Sequence, residues 1–347
     1  MITNNNNKQN RKLFDIREVK QLPINSEFYV MGVVSRLTRR KDRNDKTFWD
    51  ITLSDESGDI TGKIWSDSTW YSRQGGDTFP IDPDNCGLKF EGSSLGVGGK
   101  VSEFRDLLQY NFSNVYYLDQ EKHPPIGFVR HSPIDINFLE KTFKDLVAEI
   151  KHKKLHDFVY AVFFKYDLWE KFKTWPGAIT IHHAYMNGLI EHTVSMTMGA
   201  LDFAKHYDSF KVKINHDLII AGGLLHDIGK LEAYNLNPTP QITLDGNVID
   251  HIVLGYNMFR KFAELENLDG DLTRALGHII ISHHGLREYG SPVLPATPEA
   301  IIVSAADDLD FKMNVWKSQI EALTPQTEVT DFLPFVDRRL WRGIELN

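Results

Sequence analysis

At 347 residues the chain is too long for one small hydrophobic core, so two domains are expected and a bare structural peptide is excluded. Lys and Arg total 39 against 47 Asp and Glu, a net charge of −8, so the chain as a whole is no polycation for coating nucleic acid or membrane, and any nucleic-acid site must be a local patch. The single cysteine, Cys86, excludes an internal disulfide framework and a Cys-rich zinc module, and it fits a reducing compartment, the cytoplasm by default.

The first residues, Met1 to Lys12, form a polar run around Asn4 to Asn7 that is neither a secretory signal nor a membrane anchor; residues 1–20 are expected to be a disordered or polar tail. From 21 to 122 the pattern is that of strands. Trp49, Ile51 and Leu53 alternate with Phe48, Asp50 and Thr52, Asp55 to Asp59 carries turn chemistry, and Ile60 to Trp65 alternates again, which predicts a hairpin with one apolar face. Further alternation at Phe28 to Leu37 and Lys100 to Leu118, with glycines at 92, 96, 98 and 99, predicts about five short strands in a small all-β barrel. Between the first two strands Arg36, Arg39, Arg40, Lys41, Arg43 and Lys46 crowd together with only Asp42 and Asp45 opposing them, a local excess of +4. The Pro-, Gly- and Asp-rich segment Gly75 to Gly87 reads as a surface insertion between strands.

Residues 123–136, with Pro124, Pro125 and Pro133, read as a linker, and residues 137–347 as an all-α domain. Leu139, Phe143, Leu146, Val147 and Ile150 recur at helical intervals, and Leu155, Phe158, Val159, Val162, Phe163, Trp169 and Phe172 fall on one broad stripe, as in a single buried helix. The longest apolar runs, Phe158 to Phe164 and Leu218 to Leu225, fall far short of the roughly 18 residues a membrane span needs, so a soluble protein with no membrane partner is expected. Thr297 before Pro298 is an N-cap and first-turn pair that opens a helix through Ala305 and Lys312.

Ten of the 14 histidines lie between His182 and His284. Among them Glu191-His192, His226-Asp227, His251 and His283-His284 arrive in order, followed by Asp307. Imidazoles and carboxylates carried on different helices can converge on metal ions in a bundle core, and an Asp can bridge two ions through its two oxygens. His226 and Asp227 follow an apolar run that delivers them from the interior, and Gly229 lets the backbone turn closely past them, leaving Lys230 directed at whatever the metals hold. His206, His216 and His278 read as ordinary core histidines donating a hydrogen bond. Asp307 and Asp310 are spaced to share a helix face, with Asp308 toward solvent; Asp307 is the preferred ligand.

The run Leu225-His226-Asp227-Ile228-Gly229-Lys230, with His192 upstream and Asp307 downstream, resembles the HD-domain metal-dependent phosphohydrolases. His182-His183-Ala184-Tyr185 leading to Gly188-Leu189-Ile190-Glu191-His192, His283-His284-Gly285 leading to Tyr289-Gly290-Ser291-Pro292, and Pro298-Glu299-Ala300 leading to Ala306-Asp307 make the resemblance more pointed. Together with a preceding barrel they are similar to the YhaM-type 3′-5′ exoribonucleases, which join an OB-fold to an HD domain, and the similarity runs through nearly the whole chain from about Phe28. The resemblance implies that His192, His226, Asp227 and Asp307 surround one divalent ion and Asp227, His251, His283 and His284 a second. It implies manganese, where the O/N ligand set alone suits Fe, Co, Ni or Mg as well. It also implies homo-oligomers, 3′-end trimming and release of nucleoside 5′-monophosphates. Lys230 is then placed to hold a non-bridging phosphate oxygen, and His182 or His183 to contact the phosphate or the leaving oxygen.

In an OB-fold barrel the loop joining the first two strands borders the binding face. The basic cluster Arg36 to Lys46, with Phe48, Lys63 and Trp65 on the strand face opposite Trp49, Ile51 and Leu53, therefore reads as a track for single-stranded RNA or DNA. The expected activity is metal-dependent 3′-5′ exonucleolytic hydrolysis. The alternatives are a phosphohydrolase of small nucleotides or cyclic dinucleotides, disfavoured for the latter by the absence of a GYP tripeptide after His284, and a non-catalytic nucleic-acid-binding scaffold.

Overall fold

The computed structural model describes residues 12–104, 107–324 and 326–344. The chain divides into two compact units: one runs to Arg130 and includes Asn237–Thr239, and the other comprises His131–Leu236 and the residues from Pro240. Most of the expected polar tail, residues 1–11, lies outside the described residues. Its described end is not a loose tail, which corrects the reading of residues 1–20. Asp15 caps α1 (Ile16–Lys20) in a reciprocal capping box with Glu18, and Ile16 and Val19 are fully buried. The Ile16 N–H donates to Asp55 Oδ2 at 2.8 Å, tying the helix to the turn that Asp55 also organises. A single turn of helix with two apolar residues leaves no periodic signal to read.

Six strands follow: β1 (Glu27–Lys41), β2 (Thr47–Asp55), β3 (Gly58–Gln74), β4 (Asp77–Pro80), β5 (Ser94–Phe104) and β6 (Leu107–Tyr117). β1 runs antiparallel to β2 and β5, β2 antiparallel to β3, β5 antiparallel to β6, and β3 parallel to β6. Each of these five strands thus has two neighbours, the OB-type order. The strands are not all short, since β1 spans 15 residues and β3 spans 17. Within the expected insertion, β4 extends the sheet by pairing with the end of β3. Alternation sorts the side chains as the sequence predicts: Ile51, Leu53, Ile60, Ile64, Phe112 and Val115 are buried in the core, and Arg40, Phe48 and Lys63 lie on the other face.

The second unit is helical: α2 (Ile136–Glu149), α3 (Lys153–Tyr160), α4 (Trp169–Thr174), α5 (Gly188–Ser209), α6 (His216–Leu225), α7 (Lys230–Ala233), a small hairpin β7 (Tyr234–Leu236) and β8 (Pro240–Ile242), α8 (Leu244–Val248), α9 (His251–Leu265), α10 (Gly270–Ser282) and α11 (Pro298–Glu321). The stripe from Leu155 to Phe172 is not one helix. After α3 comes a π-helical turn, Ala161–Lys165, and Asp167 takes a left-handed φ of 57°, so the chain restarts at α4 while Phe163 and Phe172 still meet in one core. Thr297 caps α11 as expected, accepting from the Ala300 N–H. No helix among the described residues is long and apolar enough to cross a membrane.

Because Ile16 is fully buried, Ile16→Ala should destabilise the β-unit by about 2–5 kcal/mol. Urea unfolding followed through the tryptophans of the β-unit checks this, and an unchanged midpoint would contradict the docking of α1.

Candidate metal centre

Five elements deliver the predicted ligands to one buried place. His192 sits in the first turns of α5, His226 and Asp227 follow α6, His251 opens α9, His283 and His284 follow α10, and Asp307 lies on α11. The sharp turn at Gly229 fixes two of these arrivals. A Cβ there would lie 2.0 Å from the His251 carbonyl oxygen and 2.4 Å from the Gly255 amide nitrogen, so only glycine lets the first turn of α9 pack against the loop carrying Asp227.

Asp227 is the hub. Its Oδ2 lies 3.4 Å from His192 Nε2 and 3.2 Å from His226 Nε2, and its Oδ1 lies 3.5 Å from His251 Nε2 and 3.6 Å from His283 Nε2. Asp307 Oδ1 approaches His192 Nε2 at 3.2 Å, and the His284 ring packs 4.4 Å from that of His283 and 5.0 Å from that of His251. All seven predicted ligands are therefore brought together.

The outer nitrogens of the rings fix the chemistry of the inner ones. His226 Nδ1–H donates to the Gly223 carbonyl, His283 Nδ1–H to Ile280 and His284 Nδ1–H to Tyr289, each at 2.7 Å. His192 Nδ1–H donates to Asp310 Oδ2 at 2.8 Å. A carbonyl or carboxylate only accepts, so each of these rings carries a proton on Nδ1 and in its neutral form turns a bare Nε2 lone pair inward. The Nε2 atoms of His192 and His226 face each other at 3.2 Å, a contact that a shared proton or a metal ion held by both would relieve. Asp227 Oδ1, His251 Nε2 and His283 Nε2 are buried with no hydrogen-bond partner. This donor set, imidazole nitrogens and carboxylate oxygens with unsatisfied lone pairs converging on common points, fits divalent metal ions.

Burial would lower the pKa of His192, but hydrogen bonds to Asp227, Asp307 and Asp310 overrule it and raise the value, so the carboxylates favour positive charge at its Nε2, which either a proton or a metal ion supplies. Burial would raise the Asp227 carboxyl, but the Lys230 ammonium and His226 hold it well below the usual carboxylate range. Lys230 is only 5% exposed, with Nζ 2.6 Å from Asp227 Oδ2, so it is no surface lysine.

The two upstream histidines part company. His182 lies against Phe311 and His192, and burial, followed by the nearby Lys230, lowers its pKa to about 2, leaving a neutral ring with a buried, unpartnered Nδ1. His183 corrects the expectation of a substrate contact: it is 3% exposed, its Nε2 lies 3.0 Å from Asp310 Oδ2, and its Nδ1 lies 3.0 Å from the Tyr185 hydroxyl, which donates to Glu191. Both its nitrogens are spent inside the protein.

Asp310 is the residue that the ligand pattern missed. It holds His192 and His183 through Oδ2 and accepts from Ser195 Oγ at 2.6 Å through Oδ1. Its spacing from Asp307 put it on the same helical face, but nothing in the sequence separates a ligand from the carboxylate that orients one. The other three histidines do not join the centre, but they are not core residues as expected: His206 is exposed, His216 is half-buried and pairs with Asp208, and half-buried His278 accepts from the Ala296 amide through Nε2.

In the β-unit, the rings of Phe48 and Trp65 lie 5.1 Å apart, and the Lys63 ammonium sits 5.2 Å and 5.4 Å from them. The Trp65 indole N–H donates to Asn111 at 2.8 Å. The basic cluster is less free than its composition implies. Arg39 pairs with Asp84 at 2.8 Å, Arg40 with Asp50 and Lys41 with Asp45, whereas Arg36, Arg43 and Lys46 form no ion pair among the described residues. Exposed pairs of this kind are worth about 0–1 kcal/mol, so a phosphate can compete for them.

The HD domain family matches residues 189–312, and HD domains are metal-dependent. The chain is 30% identical over 287 residues to the 3′-5′ exoribonuclease YhaM of Bacillus subtilis (strain 168), covering 81% of this chain and 84% of that protein. It is 29% identical over 317 residues to the protein of the same name from Oceanobacillus iheyensis, covering 91% and 93%. Among solved structures, the second OB-fold domain of replication protein A from Methanococcus maripaludis matches 30% of this chain and 92% of its own length at 17% identity, with a TM-score of 0.20.

Asp310→Ala should weaken divalent-metal affinity about 10–100-fold, as loss of a carboxylate orienting a histidine ligand does, and Asp310→Asn, which keeps an acceptor for His192 Nδ1–H, should weaken it less. Competition with a chromophoric chelator measures both, and equal affinity in wild type and Asp310→Ala would contradict the orienting role.

Proposed function

The chain belongs to the YhaM 3′-5′ exoribonuclease family, and from that premise we propose that it trims single-stranded RNA, and single-stranded DNA as well, from the 3′ end to nucleoside 5′-monophosphates. The observation that carries this reading is the division of Asp227, one carboxylate oxygen toward His192 and His226 and the other toward His251 and His283. Two divalent ions, manganese in this proposal, would be held there, one by His192, His226, Asp227 and Asp307 and the other by Asp227, His251, His283 and His284. Held there, divalent ions supply Lewis acidity to the phosphoryl oxygens and lower the pKa of water.

The remaining roles fall to the chain's own side chains. Burial would strip Lys230 of its charge, but Asp227 beside it raises its pKa, so it stays cationic and is placed to hold a non-bridging phosphate oxygen. His182, neutral and beside the centre, is the member of its pair placed to hydrogen-bond the substrate phosphate or the leaving oxygen. Asp310 acts through His192, keeping its Nε2 lone pair inward.

In the β-unit, Phe48 and Trp65 offer rings for nucleobases, and Lys63, Arg36, Arg39, Arg40, Lys41, Arg43 and Lys46 supply charge for phosphates. Stacking of this kind is worth about 1–3 kcal/mol per base without demanding a sequence. A capture module tethered to a hydrolytic one in the same chain retains a polymer between cuts. A cytoplasmic homo-oligomer completes the reading, supported by the lone free thiol of Cys86 and by exposed Ile301, Leu309 and Met313 on α11.

On 5′-labelled single strands the protein should give a descending ladder with manganese, abolished by chelator and by Asp227→Ala; internal cuts, or hydrolysis of mononucleotides alone, would contradict the substrate class. Replacing Arg36, Arg43 and Lys46 together should weaken strand binding, flatten its salt dependence by about one phosphate per cation, and spare cleavage of a minimal diester. Equal loss on both substrates would place the strand elsewhere.

A further inference from the structure

A second aromatic and cationic cluster stands on the same face of the sheet as Lys63 and Trp65. Tyr71 of β3 pairs directly with Tyr116 of β6, and their rings stack with centroids 5.2 Å apart and planes at 16°. The Arg73 guanidinium lies 4.2 Å over Tyr116, and its Nη1 donates to the Tyr29 hydroxyl at 3.3 Å. Tyr29 reaches this place from β1 by crossing Gly96, where a Cβ would come within 2.1 Å of the phenol oxygen. Tyr29, Tyr71, Arg73 and Tyr116 are half-buried, and Arg73 has no carboxylate partner among the described residues.

Arg73 and Tyr71 both pack on Tyr116, Pro80 of β4 pairs with Tyr71 on its other flank, and both tyrosine rings stay half-exposed. The cluster is also continuous with the first one. Asn111, which holds the Trp65 indole, pairs with Lys63, and five residues further along β6 stands Tyr116, about 16 Å away at the rise of a strand. Between them the floor is polar, with Thr69 donating to Asn114 at 2.9 Å. The buried side chains of Phe112 and Val115 point into the core on the other side.

We propose that Tyr71, Tyr116 and Arg73 form a second subsite for the same single strand, with a nucleobase packing on the half-exposed tyrosine rings and a phosphate pairing with Arg73. This rests on the single-strand reading of the first cluster and adds a distant contact to it. A strand that reaches both places gains a second stack and a further phosphate contact, and a short strand seated on the first cluster gains neither.

Steady-state trimming of single-stranded RNA of about 4 and about 16 nucleotides, the range of footprints for one such domain, tests it in the manganese-loaded protein. Tyr71→Leu should raise KM for the long strand about five-fold or more, leave its kcat unchanged, and leave KM for the short strand as in wild type. Arg73→Gln, which removes charge from a half-exposed position, should raise the same KM and reduce its salt dependence by about one phosphate. Unchanged KM for the long strand in both variants, or an equal rise on long and short strands, overturns the second subsite while the single-strand reading stands. Failure of the wild type to trim either strand overturns the reading beneath it.

Discussion

The constraint on which the helical unit depends is the burial of Asp227 amid imidazoles whose inner nitrogens are bare. A carboxylate removed from water costs several kcal/mol unless positive charge answers it. Here Lys230 answers part of that demand at 2.6 Å, and the unpartnered atoms around Asp227 Oδ1 mark the remainder. Backbone carbonyls on one side of the rings take the only protons that neutral imidazoles have. The lone pairs on the other side are left free to bind a cation.

Much of the surrounding architecture follows from holding those atoms still. α6 and α10 end where their histidines begin, so the ligands ride on the termini of buried helices and not on loose loops. Gly229 admits the N-terminus of α9, and Asp310 ties α11 to α5 through His192 and Ser195 and to the preceding segment through His183. The β-unit works by a different physics: an apolar face forms its core, and the opposite face gathers rings and cations, the groups to which the proposed strand binding is assigned.

The convergence of His192, His226, Asp227, His251, His283, His284 and Asp307 was legible in the sequence because few residue types bind metals and these arrive in a set order on separate helices. Strand alternation in β2 and β3 and the Thr297-Pro298 cap were equally plain, since both are local rules. What escaped was decided by partners far away in the chain. Asp84 meets Arg39, and Asp310 meets His183 and His192, contacts that no spacing announces. α1 was hidden by its brevity, and the break between α3 and α4 by an apolar stripe that persists on both sides of Asp167.

Metal content tests the central claim most directly. Protein purified without chelator and assayed by elemental mass spectrometry should carry about two equivalents of a divalent transition metal per chain. Asp227→Ala should lose them with the helical unit still folded by circular dichroism. A wild-type protein that is metal-free, takes up no manganese on titration, and unfolds at the same temperature with and without it would contradict the account.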